Sequence, residues 1–290
     1  MTVYLNGEFV SSEAALIRAD DRGFLYGDAL YESIRLYRGG LFRFQEHWQR
    51  LAQGAMALKI EAPTLEQLRS IVGQVAAKNS VSDGIVRVTL TRGPGGEGLR
   101  TVGSGPPTLL VTVRPLSAQR MERASAGFTA IVADARRSPV GLPSSIKSAN
   151  RLDAILARLE ADEAGVDEAI LLNAEGYVAE GTVSNIFWRA GDQLHTPELD
   201  IGILPGVTRL AVLEVCRDLG VAVREGRWHL GELLHAQEVF ITMSSLGPVR
   251  VLELDSEALL EPENALYPRI RDAYWSLVGR EAAEDPAVTP

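Results

Sequence analysis

Three lysines occur in the whole chain, Lys59, Lys78 and Lys147, against 26 arginines. Chemistry that needs a lysine amine therefore has few places to happen. Lys59 and Lys78 each close an amphipathic, helix-like run, where a cation complements the negative end of the helix dipole. Lys147 stands apart. It follows the loop Pro139-Val140-Gly141-Leu142-Pro143-Ser144-Ser145 and precedes a helical segment from Asn150 to about Asp162. At such a junction a lysine is either an ordinary solvated charge or a Schiff-base lysine, its amine made nucleophilic by partial desolvation. Further along, Glu180 sits between the small residues Ala179 and Gly181. A carboxylate so flanked has little room to be a solvated face and suits a partner held against a ring nitrogen.

The elements that must position these residues alternate between strand and helix. Val3-Tyr4-Leu5 and Glu8-Phe9-Val10 flank Asn6-Gly7, a strong hairpin signal. Ala29 to Tyr37 reads as a strand, with Tyr31, Ser33, Arg35 and Tyr37 on one face and Leu30, Glu32, Ile34 and Leu36 on the other. The first face is either a substrate wall or a solvated surface. Gln45 to Leu58 is helical by period, with Trp48, Leu51, Ala52, Ala55 and Met56 on its apolar stripe and Arg50 at the margin. Thr64-Leu65-Glu66-Gln67 is a capping box that opens a second helix, to about Lys78. Pro115 to Gln119 is the best domain linker.

In the second half, Leu152, Ile155, Leu156 and Leu159 give the helix after Lys147 its apolar period, and Val183 to Trp188 reads as a buried strand. A helix starts near Gly206, Val207 and Thr208. Its unpaired N–H groups make an anion site or merely a capped end. Ser244 follows a strand from Glu238 to Thr242 and is either a turn former or a ligand hydroxyl. The glycines of Gly93-Pro94-Gly95-Gly96-Glu97-Gly98 match G-x-G-x-x-G in form, but Gly103, Gly105, Pro106 and Pro107 follow instead of a helix, so a dinucleotide site is rejected.

The pair Ile146-Lys147-Ser148-x-Asn150 and Glu180-Gly181-x-x-Ser184-Asn185 resembles the class IV aminotransferases, pyridoxal phosphate enzymes of fold type IV. The likeness runs from Val3 to about Leu254. The chain reads as α+β with two domains, a smaller one over residues 1–116 and a larger one over 120–280 that the resemblance makes the carrier of the cofactor lysine; the tail over 281–290, with two prolines and no apolar period, reads as disordered. The resemblance implies pyridoxal 5'-phosphate in a cleft between the domains and two chains paired as a homodimer. It assigns Lys147 as the catalytic lysine, Glu180 to the ring nitrogen, Asn185 to the same cofactor motif, and Arg50, Val207, Thr208 and Ser244 to the phosphate. Tyr31, Arg35 and Arg92 fall on the substrate side.

Within the family, Arg92-Gly93-x-Gly95-Gly96-x-Gly98, Phe187-Trp188-Arg189-x-Gly191 and Met243-Ser244-Ser245-Leu246 are similar to 4-amino-4-deoxychorismate lyases, which form 4-aminobenzoate and pyruvate for folate synthesis. Tyr31-Glu32 and Glu46-His47 also resemble D-amino-acid aminotransferases. The expectation is the lyase, with a D-amino-acid or branched-chain transaminase as the alternative. A catalytically idle cofactor binder is a third reading, opposed by the intact lysine and glutamate.

Composition is consistent with this. A hydrophobic content of 46% and 23% charged residues describe an ordinary globular chain. The net charge of −9, spread along the chain, argues against nucleic acid as a partner. No apolar run reaches the length of a membrane span, and no signal peptide is visible at the N-terminus. The lone Cys216 fits a reducing cytoplasm and reads as a buried small hydrophobe. His47, His195, His229 and His235 have no ligand-like spacing, so no metal is expected.

Overall fold

A computed structural model describes residues 1–137, 146–260 and 262–287 of the chain. The loop Pro139–Ser145 before Lys147 lies outside the described residues, as do the last three residues of the tail. The chain divides into two compact units. One comprises Met1–Leu116, Ile146–Asn150 and Val278–Pro290, the other Ser117–Ser145 and Arg151–Leu277.

The first unit is built on a six-stranded antiparallel sheet. It contains β1 (Thr2–Leu5), β2 (Glu8–Ser11), α1 (Arg22–Tyr26), β3 (Ala29–Tyr37), β4 (Gly40–Leu41), α2 (Phe44–Leu58), α3 (Leu65–Lys78), β5 (Gly84–Thr91) and β6 (Thr108–Pro115). The strand order is β2-β1-β6-β5-β3-β4. Asn6 and Gly7 both have positive φ (49° and 103°), as a two-residue hairpin turn requires. Alternate residues of the central strands, Leu30, Ile34 and Leu36 on β3, Val86, Val88 and Leu90 on β5, and Val111 and Val113 on β6, point to one face. Leu51 and Ala55 of α2 and Leu68, Val72, Val75 and Ala76 of α3 cover that face. Thr64 and Gln67 form the reciprocal cap of α3.

The second unit carries a nine-stranded mixed sheet. Its elements are α4 (Ala118–Ala126), β7 (Phe128–Arg137), α5 (Leu152–Ala164), β8 (Glu168–Asn173), β9 (Val178–Gly181), β10 (Asn185–Ala190), β11 (Gln193–Pro197), α6 (Val207–Asp218), β12 (Val223–Gly226), α7 (Leu230–Leu234), β13 (Glu238–Met243), β14 (Gly247–Leu254) and β15 (Glu257–Ala258). The strand order is β12-β11-β10-β13-β14-β7-β8-β9, with β15 on β14. The pairs β11/β12, β14/β7 and β7/β8 are parallel and the others antiparallel. A last helix, α8 (Tyr267–Glu284), ends among the residues of the first unit.

Two expectations need correction. Lys147, expected in the larger unit, does not fall there, because Ile146–Asn150 groups with the first unit. Backbone pairing explains this: the Tyr31 N–H donates to the Lys147 carbonyl at 3.0 Å, and Ala149 donates to Ala29 at 2.9 Å. The tail, expected to be disordered over 281–290, has partners in its described part, which runs to Ala287. Arg43 grips Glu281 with two bonds of 3.1 Å, Arg69 pairs with Asp285, and Ala287 donates to the Gly39 carbonyl at 2.9 Å. Backbone bonds and ion pairs hold the segment without an apolar period of its own, and Ala282 is buried as well.

The helix α5 is a third departure. Its small residues Ala154, Ala157 and Ala161 are buried, the last two packing on Ala133, Ala169 and Leu171. Its large ones, Leu152, Ile155, Leu156 and Leu159, are exposed by 49–68%. Alanines let this helix sit close to its sheet, which leaves an apolar stripe uncovered.

Candidate functional site

In the first unit, β3 and α2 set the geometry around Lys147. The segment 146–150 lies along the start of β3, with Leu30 and Ser148 bridged, and Ile146 is buried in the core beneath it. The half-buried Lys147 extends its ammonium to 4.7 Å from the centre of the Tyr31 ring. The Arg87 guanidinium of β5 lies over the same ring, at 3.6 Å. One aromatic side chain therefore carries two cations, an arrangement that would draw a small anion. Nothing in the alternation of β5 distinguishes Arg87 from a solvated strand residue, so the sequence reading passes over it.

Arg50 is buried on α2, and its Nε and Nη2 donate to the two oxygens of Glu32 at 2.7 Å each. His47 Nδ1 lies 2.7 Å from Glu32 Oε2. Glu32 projects from the apolar face of β3 and is 1% exposed. Burial alone would raise its pKa, but Arg50 and His47 outweigh that and pull it down to about 2. Burial lowers the His47 pKa, and Glu32 offsets only part of that effect. The signal for this triad was in the sequence: a glutamate on an apolar strand face, and His47 and Arg50 one helical turn apart. A buried carboxylate must find such partners.

Arg35 and Arg92 are committed elsewhere. Arg35 donates to Asp83 at 2.7 Å and to the Gly84 and Leu36 carbonyls. Arg92 holds Asp28 at 2.6 and 3.1 Å and the Leu58 carbonyl at 2.8 Å. Each of these contacts ties strand to loop.

In the second unit, β9 and β10 carry the other half of the candidates. Glu180 is 4% exposed, and its Oε2 accepts from the Leu204 N–H at 2.9 Å and from Asn185 Nδ2 at 3.3 Å. Asn185 Nδ2 also donates to the Leu204 carbonyl at 3.0 Å. Glu180 Oε1 has an ion-pair contact with Arg137 Nε at 3.1 Å, but it accepts no hydrogen bond there. A buried carboxylate oxygen with unused acceptor capacity fits a protonated ring nitrogen. Arg137, which the sequence reading missed, is itself held by Asp153 at 2.7 Å.

Gly206, Val207 and Thr208 begin α6, and no side chain caps that helix. Its first N–H groups suit a phosphate. Gly206 is required here: a Cβ would lie 2.0 Å from Asn185 Oδ1. Ser244 opens the turn between β13 and β14. Register sets Thr242 opposite Asn185, with a buried hydroxyl that has no hydrogen-bond partner among the described residues. The candidates thus fall into two sets, Tyr31, Arg50 and Lys147 in one unit and Glu180, Asn185, Val207, Thr208 and Ser244 in the other.

An α+β chain with a half-buried lysine, a buried carboxylate and a helix terminus without a side-chain cap is compatible with a fold type IV pyridoxal phosphate enzyme. The family model described as amino-transferase class IV matches residues 29–254. The chain belongs to this family and is a pyridoxal 5'-phosphate-dependent enzyme. It is 38% identical over 261 residues (89% of this chain, 90% of the relative) to a Methanocaldococcus jannaschii protein provisionally named a branched-chain-amino-acid aminotransferase. It is 33% identical over 247 residues (84% and 83%) to the aminodeoxychorismate lyase of Bacillus subtilis. The branched-chain amino acid aminotransferase of Escherichia coli superposes with a TM-score of 0.89 at 28% identity, covering 97% of this chain and 95% of that one.

Proposed function

We propose that the chain is an aminotransferase for a small amino acid, with Lys147 as the residue that carries the cofactor and moves the Cα proton. The observation that carries this reading is the Tyr31 ring with Lys147 on it at 4.7 Å and Arg87 at 3.6 Å. An amino acid needs an amine acceptor and a cation for its carboxylate side by side. Pyridoxal phosphate, when bound, supplies an electron sink for the charge left at the substrate Cα. The protein's part is to bind, orient and transfer a proton. Glu180 would hold the ring nitrogen of the cofactor, with Asn185 keeping one of its carboxylate oxygens fixed. Arg50, the N-terminus of α6 at Val207 and Thr208, and the Ser244 hydroxyl bind the phosphate. Arg87 takes the substrate carboxylate, in place of Arg35 and Arg92. The Lys147 amine would hold the cofactor and would serve as the acid and base at the substrate Cα.

The aminodeoxychorismate lyase is a second reading, favoured by the glycine-rich run from Arg92 to Gly98 and by Met243 to Leu246. It shares every residue role above and would place the enzyme in folate synthesis. The two reactions differ in the fate of the electrons after the Cα proton leaves. Mixing the enzyme with D-alanine, L-leucine or L-glutamate, without a keto acid, tests the choice. Full conversion of the cofactor to its pyridoxamine form supports the aminotransferase. No conversion, with 4-aminobenzoate released from aminodeoxychorismate, supports the lyase.

We also propose that the working form is a cytoplasmic homodimer. The uncovered stripe of Leu152, Ile155, Leu156 and Leu159 supports pairing, since a contiguous apolar surface of this kind marks an interface. No helix among the described residues is long and apolar enough to cross a membrane.

A further inference from the structure

We propose that Glu168 is a positioning residue for the cofactor site, acting through the turn Gly181–Ser184 that joins Glu180 to Asn185. The inference rests on the reading of Glu180 as the partner of the ring nitrogen. Glu168 lies on β8 and is 2% exposed. Its Oε1 accepts from the Thr182 N–H at 3.0 Å, the Thr182 hydroxyl at 2.5 Å and the Ala169 N–H at 3.0 Å. Its Oε2 accepts from the Ser184 hydroxyl at 2.9 Å. Three of these four bonds go to the turn.

The turn is drawn inward by these bonds: Thr182 and Ser184, whose polar groups meet Glu168, are 2% and 5% exposed. A cavity of about 800 Å³ opens beside it, lined by Thr182, Val183, Phe128 and Asp167 among others, and Val183 is 58% exposed. Within the turn, the Gly181 N–H donates to the Ser184 carbonyl at 2.7 Å. Gly181 is required for the carboxylate to come so close: a Cβ there would lie 2.2 Å from Ser184 Oγ and 3.0 Å from Glu168 Oε2. Sequence and geometry thus agree on a turn shaped around one buried carboxylate. The two ends of that turn are Glu180 and Asn185, whose side chains meet at 3.3 Å. Loosening the turn lets the Asn185 amide drift and leaves the Glu180 carboxylate less well aimed. An aiming error of about 1 Å is enough to cost a hundred-fold in rate.

The test uses the holoenzyme and the variants Glu168→Ala, Glu168→Gln and Thr182→Val. Two readouts are followed: the visible absorption maximum of the bound cofactor with its pH titration, and the lysine labelled on borohydride reduction. A residue that only stabilises the fold would lower the melting temperature and leave the absorption of the surviving holoenzyme unchanged. The expected result is that Lys147 is still labelled while the absorption and its titration shift, most for Glu168→Ala, less for Thr182→Val, with partial recovery in Glu168→Gln. Should Glu168→Ala fail to fold, the other two variants carry the comparison. Wild-type absorption and titration in the folded variants would overturn the proposal. Label on a lysine other than Lys147 in the wild-type enzyme would instead overturn the reading of the site itself.

Discussion

Arg50 grips Glu32 with two parallel hydrogen bonds, Nε to one oxygen and Nη2 to the other, each 2.7 Å long. This fork fixes the plane of the guanidinium. It also makes the first unit sensitive to acid. The folded-state pKa of Glu32 is depressed to about 2 from an ordinary 4.5, so its stabilisation is present above pH 4.5 and is lost as the pH falls towards 2. His47 acts in the same sense, because burial holds its pKa below the ordinary 6.5 and the folded state resists its protonation. The melting temperature should therefore fall steeply below pH 4.5 in the wild type. The fall should be shallower in Glu32→Gln, from a lower starting value. Identical pH profiles for the two proteins would remove Glu32 from this role.

Arg50→Ala should weaken cofactor binding by about 1.5–3 kcal/mol, the worth of a hydrogen bond to a charged group. Replacing Arg50 also strands Glu32 in the core, so the melting temperature should drop as well. The double variant Arg50→Ala/Glu32→Gln separates the two effects: it should recover stability but not cofactor affinity. Cofactor retention on dialysis equal to the wild type would return Arg50 to a purely structural pair.

Glu180→Gln keeps the shape of the side chain and removes its charge. Cofactor should still bind, while the rate of Cα proton removal from an amino acid donor falls by at least 100-fold, since the sink then lacks a stabilised ring proton. Exchange of the Cα hydrogen with solvent deuterium measures that step directly. Near-normal exchange would reduce Glu180 to a strand residue.

Gly206→Ala offers a test from the other side of the same carboxylate. The added methyl would lie 2.0 Å from Asn185 Oδ1 and must displace the amide from between Glu180 and Leu204. Cofactor affinity should fall at least ten-fold, with the rest of the fold retained by circular dichroism. An unaltered dissociation constant would show that Asn185 does not support the site.

Much of this was legible in the sequence, wherever the signal was local. Asn6-Gly7 gave the hairpin, Thr64 to Gln67 the cap of α3, and two-residue alternation the limits of β3. Lys147 and Glu180 stood out because one was a scarce residue and the other had no room to be solvated. What escaped was decided by partners distant in the chain. Arg35 and Arg92 looked available because Asp83 and Asp28 lie 48 and 64 positions away from them. Ile146–Asn150 joins the first unit through hydrogen bonds to Ala29 and Tyr31, which no local pattern encodes. Glu281 to Ala287 is ordered by Arg43, Arg69 and the backbone at Gly39 and Leu41, although its own composition reads as a loose tail. The apolar period of α5 was visible, but not that its alanines, rather than its leucines, face the sheet.

The central claim is that Lys147 carries the cofactor, and reductive trapping tests it most directly. The holoenzyme is treated with borohydride, digested, and its peptides are sequenced by mass spectrometry. With three lysines in the chain the answer is unambiguous. The expected result is a pyridoxyl group on Lys147 alone, and its loss in Lys147→Ala. A pyridoxyl group on Lys59 or Lys78, or on no lysine, would contradict the account.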